Sequence, residues 1–144
     1  MIRAHFPRLQ AMAAQHGVEM GSEPARLGVD TRPAHEASQF VAREAPASES
    51  AFHHAIYRAH FVEGRHIEDR DTLVQIASAV GGIDTARLEQ TLIDGSYRSA
   101  VLDDEREAHA SGIHAVPTLI SRGRVVSTGF LPAADLGRAL DQLG

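Results

Sequence analysis

The sequence predicts a mostly helical α/β protein, and three observations carry that prediction. Over most of the 144 residues the apolar positions recur every three or four residues, as one face of a helix requires. These stretches end repeatedly at glycine, at Gly17, Gly64, Gly81-Gly82, Gly95 and Gly112, where a left-handed residue closes a helix. From Val116 the pattern changes to two short β-rich runs followed by one last helical stripe. A chain of this length makes one ordinary domain and buries roughly two thirds of its unfolded surface. Residues 1–144 are expected as a single domain, mainly helical over about 1–111, with a proline loop, a hairpin and a closing helix over 112–144.

The first helix is expected from about Phe6 to His16, with Leu9, Met12 and Ala13 at helical spacing and Pro7 in its first turn. Met20 to Gly28 lacks periodicity and carries Gly, Ser and Pro, so it reads as a loop. Asp30 or Thr31 then caps a second helix, whose stripe is Ala34, Ala37, Phe40 and Val41 and which ends before Pro46. Ser48 opens a third, with Phe52, Ala55, Ile56 and Ala59 inward and Gly64 as its stop. The acidic start Asp69 to Asp71 introduces a fourth, which buries Leu73, Ile76, Ala77 and Val80. Asp84 caps a fifth carrying Leu88 and Leu92, and a sixth runs from about Tyr97 through Val101 to Ala108. Val116–Ser121 and Arg124–Thr128 read as strands joined by Arg122-Gly123, the signal of a two-residue hairpin turn. Leu119-Ile120 and Val125-Val126 are adjacent pairs, so both faces of that hairpin are apolar. Pro132 opens the last helix, with Leu136, Ala139, Leu140 and Leu143 on one side.

Fourteen basic residues against 19 acidic ones give a net charge of −5, and every basic residue is arginine. The arginines are scattered singly and form no stripe that could follow phosphates, so nucleic acid is not an expected partner. Met1 to Gln15 mixes Arg3, His5 and Arg8 among apolar residues and shows no signal-peptide core. No apolar stretch approaches the ~18 residues that span a bilayer. The reading is a soluble cytoplasmic protein with no membrane partner. The chain has no cysteine, and so no disulfide, zinc–thiolate site or thiol nucleophile.

Nine histidines raise the question of a metal. His53 and His60 lie seven residues apart on one expected helix, about 10.5 Å at ~1.5 Å per residue, too far to share one ion directly. No His-Glu-x-x-His run appears, and no metal site is expected. The histidines read as polar residues on helix flanks that make the net charge sensitive to pH near ~6.5. Asp103-Asp104-Glu105-Arg106-Glu107 reads as the solvated face of the sixth helix, because neighbours in sequence do not converge on one substrate atom. Tyr57 and Tyr97 either supply hydroxyls to a pocket between the helices and the hairpin or pack as structural tyrosines. Gly81-Gly82 lacks the surroundings of a phosphate loop.

The order of helices, then Gly112-Ile113-His114-Ala115-Val116-Pro117-Thr118, then hairpin and terminal helix resembles the C-terminal part of the DsbA family of thioredoxin-fold proteins. Within it the FrnE-like branch is the most similar, through the run Tyr57-Arg58-Ala59-His60-Phe61-Val62-Glu63-Gly64-Arg65-His66-Ile67 and the pair Asp104-Glu105. The likeness covers about Thr31 to Leu143. It implies a helical insertion plus part of a thioredoxin fold, with a cis proline at Pro117. A cis X-Pro bond turns the preceding main chain outward, where an extended peptide can pair with it. Val116, Pro117 and Thr118 are then the expected peptide- or ligand-binding residues. An ordinary trans bond at the start of a strand is the other reading.

The family also implies an N-terminal strand, a Cys-x-x-Cys helix start and a second strand, and nothing before Thr31 resembles that unit. Thiol–disulfide exchange needs a thiolate, so this chain is expected to have no catalytic residue of that kind. The related kappa-class glutathione transferases and hydroxychromene-carboxylate isomerases use a serine in that same unit, so no serine here inherits the role. No cofactor is expected, although glutathione at the Val116-Pro117 main chain stays open. The implied function is a redox-inactive binding module. A fragment of a DsbA-type oxidoreductase, or a cysteine-independent isomerase-like enzyme, is the alternative.

Leu119, Ile120, Val125 and Val126 represent roughly 6–12 kcal/mol of burial at ~1.5–3 kcal/mol each. That is comparable to the ~5–15 kcal/mol net stability of a whole domain. An isolated hairpin is marginal, and an apolar edge invites another chain. A homodimer joined through the hairpin edge is expected to cover it, with the chain's own helices or a peptide or protein partner as the other candidates.

Overall fold

The computed structural model describes residues 2–22 and 28–141. They fall into two compact units, Met1–Val101 and Leu102–Gly144. The first holds α1 (Ile2–Gln15), α2 (Arg32–Glu44), a 3-10 turn at Pro46–Ser48, α3 (Glu49–Phe61), α4 (Arg70–Val80), α5 (Thr85–Asp94) and the start of α6 (Arg98–Ala110). Its core is built from the stripes the spacing predicts, with Phe40, Phe52, Leu73, Leu88 and Val41 fully buried. Each such side chain contributes ~1.5–3 kcal/mol by leaving water. Val80, Leu92 and Tyr97 pack against this cluster from its edge, and the Tyr97 ring stands edge-on to Phe40 at 6.0 Å.

The helix ends follow local chemistry, with some corrections. Asp84 accepts from the Arg87 N–H at 3.0 Å, and Gly95 closes α5 in the left-handed region. At the start of α2 Thr31 makes no capping bond; the Asp30 carboxylate accepts from the Arg32 N–H at 3.0 Å instead. Ser48 likewise does not cap α3, since its hydroxyl donates to the Gly81 carbonyl at 3.0 Å. Helix α1 begins earlier than the sequence suggests, so Pro7 lies inside it rather than in its first turn. The hydrogen bond that proline forgoes would run to residue 3, in the first turn, where its loss costs least. Residues 23–27 of the expected loop, and Leu143 of the last stripe, lie outside the described residues.

One close approach fixes the return from α1 to α3. The Gly21 N–H donates to the Phe61 carbonyl at 2.9 Å, and its own carbonyl accepts from Gln10 Nε2 at 2.8 Å. A Cβ at Gly21 would stand 2.9 Å from the Val62 carbonyl oxygen, so no larger residue can pass there without moving main chain.

The second unit contains the remainder of α6, a two-stranded antiparallel sheet of β1 (Thr118–Ser121) and β2 (Arg124–Thr128), and α7 (Ala133–Asp141). Arg122 at φ 50° and Gly123 at φ 73° are both left-handed, as a type I′ turn demands. Leu119 opposes Ser127 while Ile120 opposes Val125, which leaves Val126 as the extra residue of a β-bulge. Leu119 and Val126 are half-buried, and α7 packs against β2. The cross-strand pair Ile120 and Val125 remains 40% and 48% exposed. The first strand is shorter than the sequence suggests, because Val116 and Pro117 precede the ladder rather than joining it.

Candidate functional site

The segment between α6 and β1 is a turn held by a few local hydrogen bonds. Gly112, at φ 76°, ends the helix, and the Ile113 N–H returns to the Ala108 carbonyl at 3.0 Å. The Val116–Pro117 peptide bond is cis. Thr118 holds the far side, its hydroxyl donating to the Ala115 carbonyl at 2.6 Å. The Pro117 carbonyl accepts from the Gly129 N–H at 2.7 Å, which ties the proline to the end of β2. Val116 is left 89% exposed. Its N–H and C=O take no hydrogen bond among the described residues.

The three residues named from the sequence therefore lie together with three different duties. Thr118 and Pro117 are committed to internal hydrogen bonds, and Val116 presents an unused donor and acceptor at the entrance to the sheet. Such a site can pair with extended main chain or an amide. The carboxylates of 103–107 line the surface of α6, where Arg106 Nη2 donates to Asp103 Oδ1 at 2.5 Å. Among the described residues, no three His, Asp or Glu side chains cluster as metal ligands.

The DSBA-like thioredoxin domain family matches residues 2–141. The chain belongs to that family. Two solved structures share the DSBA-like fold. A protein from Nitrosomonas europaea assigned as a protein disulfide isomerase aligns with a TM-score of 0.77 at 21% identity, covering 95% of this chain and 70% of that one. The cytosolic disulfide reductase DsbM from Pseudomonas aeruginosa aligns with a TM-score of 0.64 at 24% identity, covering 94% of this chain and 69% of that one. At these identities the likeness is one of fold. No curated protein matches the sequence. Both neighbours are named for disulfide chemistry, whereas this DSBA-like chain carries no cysteine.

Proposed function

We propose that this chain is a redox-inactive, FrnE-like member of the DSBA-like family that binds an extended peptide or partner segment along Val116-Pro117-Thr118. The observation that carries the reading is the exposed, unpaired main chain of Val116 beside β1. Main-chain pairing supplies affinity in peptide recognition of this kind, and neighbouring side chains supply selectivity. The absence of any thiol makes exchange chemistry by this chain alone unavailable. A second reading is supported by the share of the two structural neighbours that this chain covers, 70% and 69%. On that reading the chain acts within an oxidoreductase whose thiol-bearing segment is supplied elsewhere.

Amide NMR of the labelled chain tests the proposal. Titration with an unstructured apolar peptide is expected to shift the Val116 amide and its neighbours saturably, and glutathione is run as a second titrant at the same site. Val116→Pro, which removes one donor worth ~1 kcal/mol, is expected to weaken binding roughly fivefold. Insulin disulfides should not be reduced by the pure chain. Silence at Val116 up to millimolar peptide would refute the binding reading, and turnover of insulin would refute the inactive one.

The hairpin supports self-association as a further part of this proposal. Ile120 and Val125 form an exposed apolar pair on a two-stranded sheet whose edges are both open among the described residues. Joining two hairpins about a twofold axis covers that pair and satisfies one edge on each copy. Light scattering at micromolar concentration should then give a dimer, and Val125→Asp should return it to a monomer. A wild-type chain that stays monomeric excludes this assembly.

A further inference from the structure

We propose that the groove between α2 and α3 in the helical unit is a binding site for a small carboxylic acid with an apolar body. This is independent of the Val116 loop. Helix periodicity builds the groove from two stripes at i, i+3, i+4 and i+7. Thr31, Ala34, His35 and Ser38 come from α2 and its cap, while His53, Ile56, Tyr57 and His60 come from α3. Together with Phe61 and Ile67 they enclose a cavity of about 340 Å³, at the small end of the ~300–1,000 Å³ range of ligand pockets.

The floor is apolar. Ala34, Ile56 and Ile67 are buried, Phe61 stacks on Tyr57 at 6.2 Å, and the His60 ring meets Phe61 edge-on at 4.6 Å. The rim is made of donors without partners. Among the described residues, the ring nitrogens of His35, His53 and His60 and the Tyr57 hydroxyl make no hydrogen bond. Histidines that turn elsewhere are engaged: His54 Nδ1 lies 2.8 Å from the Ser50 carbonyl, and His66 Nδ1 lies 3.4 Å from Glu68.

Charge selects the ligand class. No Asp or Glu lines the cavity. Of the acids on the surrounding elements most are held by a partner, whereas Glu49, one turn before His53 on α3, and Asp69 are not, among the described residues. Asp30 accepts from the Arg32 N–H, Glu36 pairs with Arg98, and Glu68 meets His66. Glu19 and Glu63 both hold Arg58, next in sequence to Tyr57. The hydrogen bond to Glu19, followed by its charge, raises the Arg58 pKa further above its ordinary value. A cationic ligand therefore finds no carboxylate in the cavity lining. A carboxylate finds up to three imidazole N–H groups and a phenol. Arg32 adjoins Thr31 and carries a positive charge.

The test uses three probes of one shape, phenylacetate, phenylacetamide and phenethylamine, titrated into the full chain while histidine ring signals are followed by NMR. Phenylacetate is expected to shift His35, His53 and His60 and to bind about tenfold more tightly than phenylacetamide, as a hydrogen bond gains a charge. Phenethylamine should not bind. His53→Gln and Tyr57→Phe should each weaken phenylacetate several-fold with unchanged circular dichroism, while His54→Gln leaves it unaffected. The proposal is overturned if the amine or the amide binds as well as the acid, or if the three rings fail to respond at millimolar phenylacetate.

Discussion

Phe52→Ala is expected to remove most of the stability of the helical unit. Phe52 is fully buried, and it belongs to the cluster that also takes Phe40 and Val41 from α2, Leu73 from α4 and Leu88 from α5. Truncating a buried phenylalanine costs ~3–5 kcal/mol, part in lost transfer energy and part in the cavity left behind. A domain has only ~5–15 kcal/mol in reserve, so the variant should be largely unfolded at modest urea concentrations where the wild type is intact. The cavity is also hard to refill. Its walls come from separate helices crossed by short connections, and α3 cannot shift inward without dragging the Gly21–Phe61 hydrogen bond with it. Leu102→Ala is the control: Leu102 is 37% exposed, and such a substitution stays within about 0.5 kcal/mol. Urea unfolding followed by far-ultraviolet circular dichroism measures both. A Phe52→Ala midpoint indistinguishable from that of Leu102→Ala would mean that the core does not centre on these helices.

The parts of this architecture that were legible in the sequence are those set by neighbours along the chain. Ala34, Ala37, Phe40 and Val41 share one helical face, so their burial follows from period alone. Arg122-Gly123 lies between two β-rich runs and Gly95 follows the apolar pair Leu88 and Leu92 at four-residue spacing, so turn and helix stop are placed to the residue. Pairings across the chain were not legible. The burial of Glu36 and its pairing with Arg98, 62 residues along the chain, depend on how α2 and α6 pack together. The bulge at Val126 depends on how two strands register, which neither strand encodes alone. At the candidate site, the Val116-Pro117-Thr118 loop follows from the family resemblance, whereas the unpaired state of the Val116 main chain depends on where the β1–β2 ladder begins. The histidines show the limit most clearly. A seven-residue spacing argues against His53 and His60 sharing an ion, and the same spacing puts both along one groove of α3. His35 joins them only once α2 and α3 are packed together.

Arg98→Ala should be the most damaging change among the charged residues, and it should be strongly asymmetric with changes at Glu36. The Glu36 side chain is 5% exposed, its Oε1 lies 3.3 Å from Arg98 Nε, and its Oε2 has no hydrogen-bond partner. Removing the guanidinium leaves the largely buried Glu36 carboxylate without its ion-pair partner. Breaking a fully buried pair in this way costs ~3–5 kcal/mol. The Arg98 side chain is 63% exposed, so solvent already shares the interaction, and about 2–3 kcal/mol is the expected loss. Glu36→Met removes the buried charge and fills the same space with apolar atoms, while the arginine it abandons remains in water. That variant should match the wild type or exceed it by roughly 1 kcal/mol. Adding Arg98→Ala to Glu36→Met should then cost almost nothing, so the cycle of four proteins reports a coupling close to the full effect of Arg98→Ala. Equal losses for Arg98→Ala in both backgrounds would instead assign its contribution to the packing of its stem on α6, and would remove the charge pair as the link between α2 and α6.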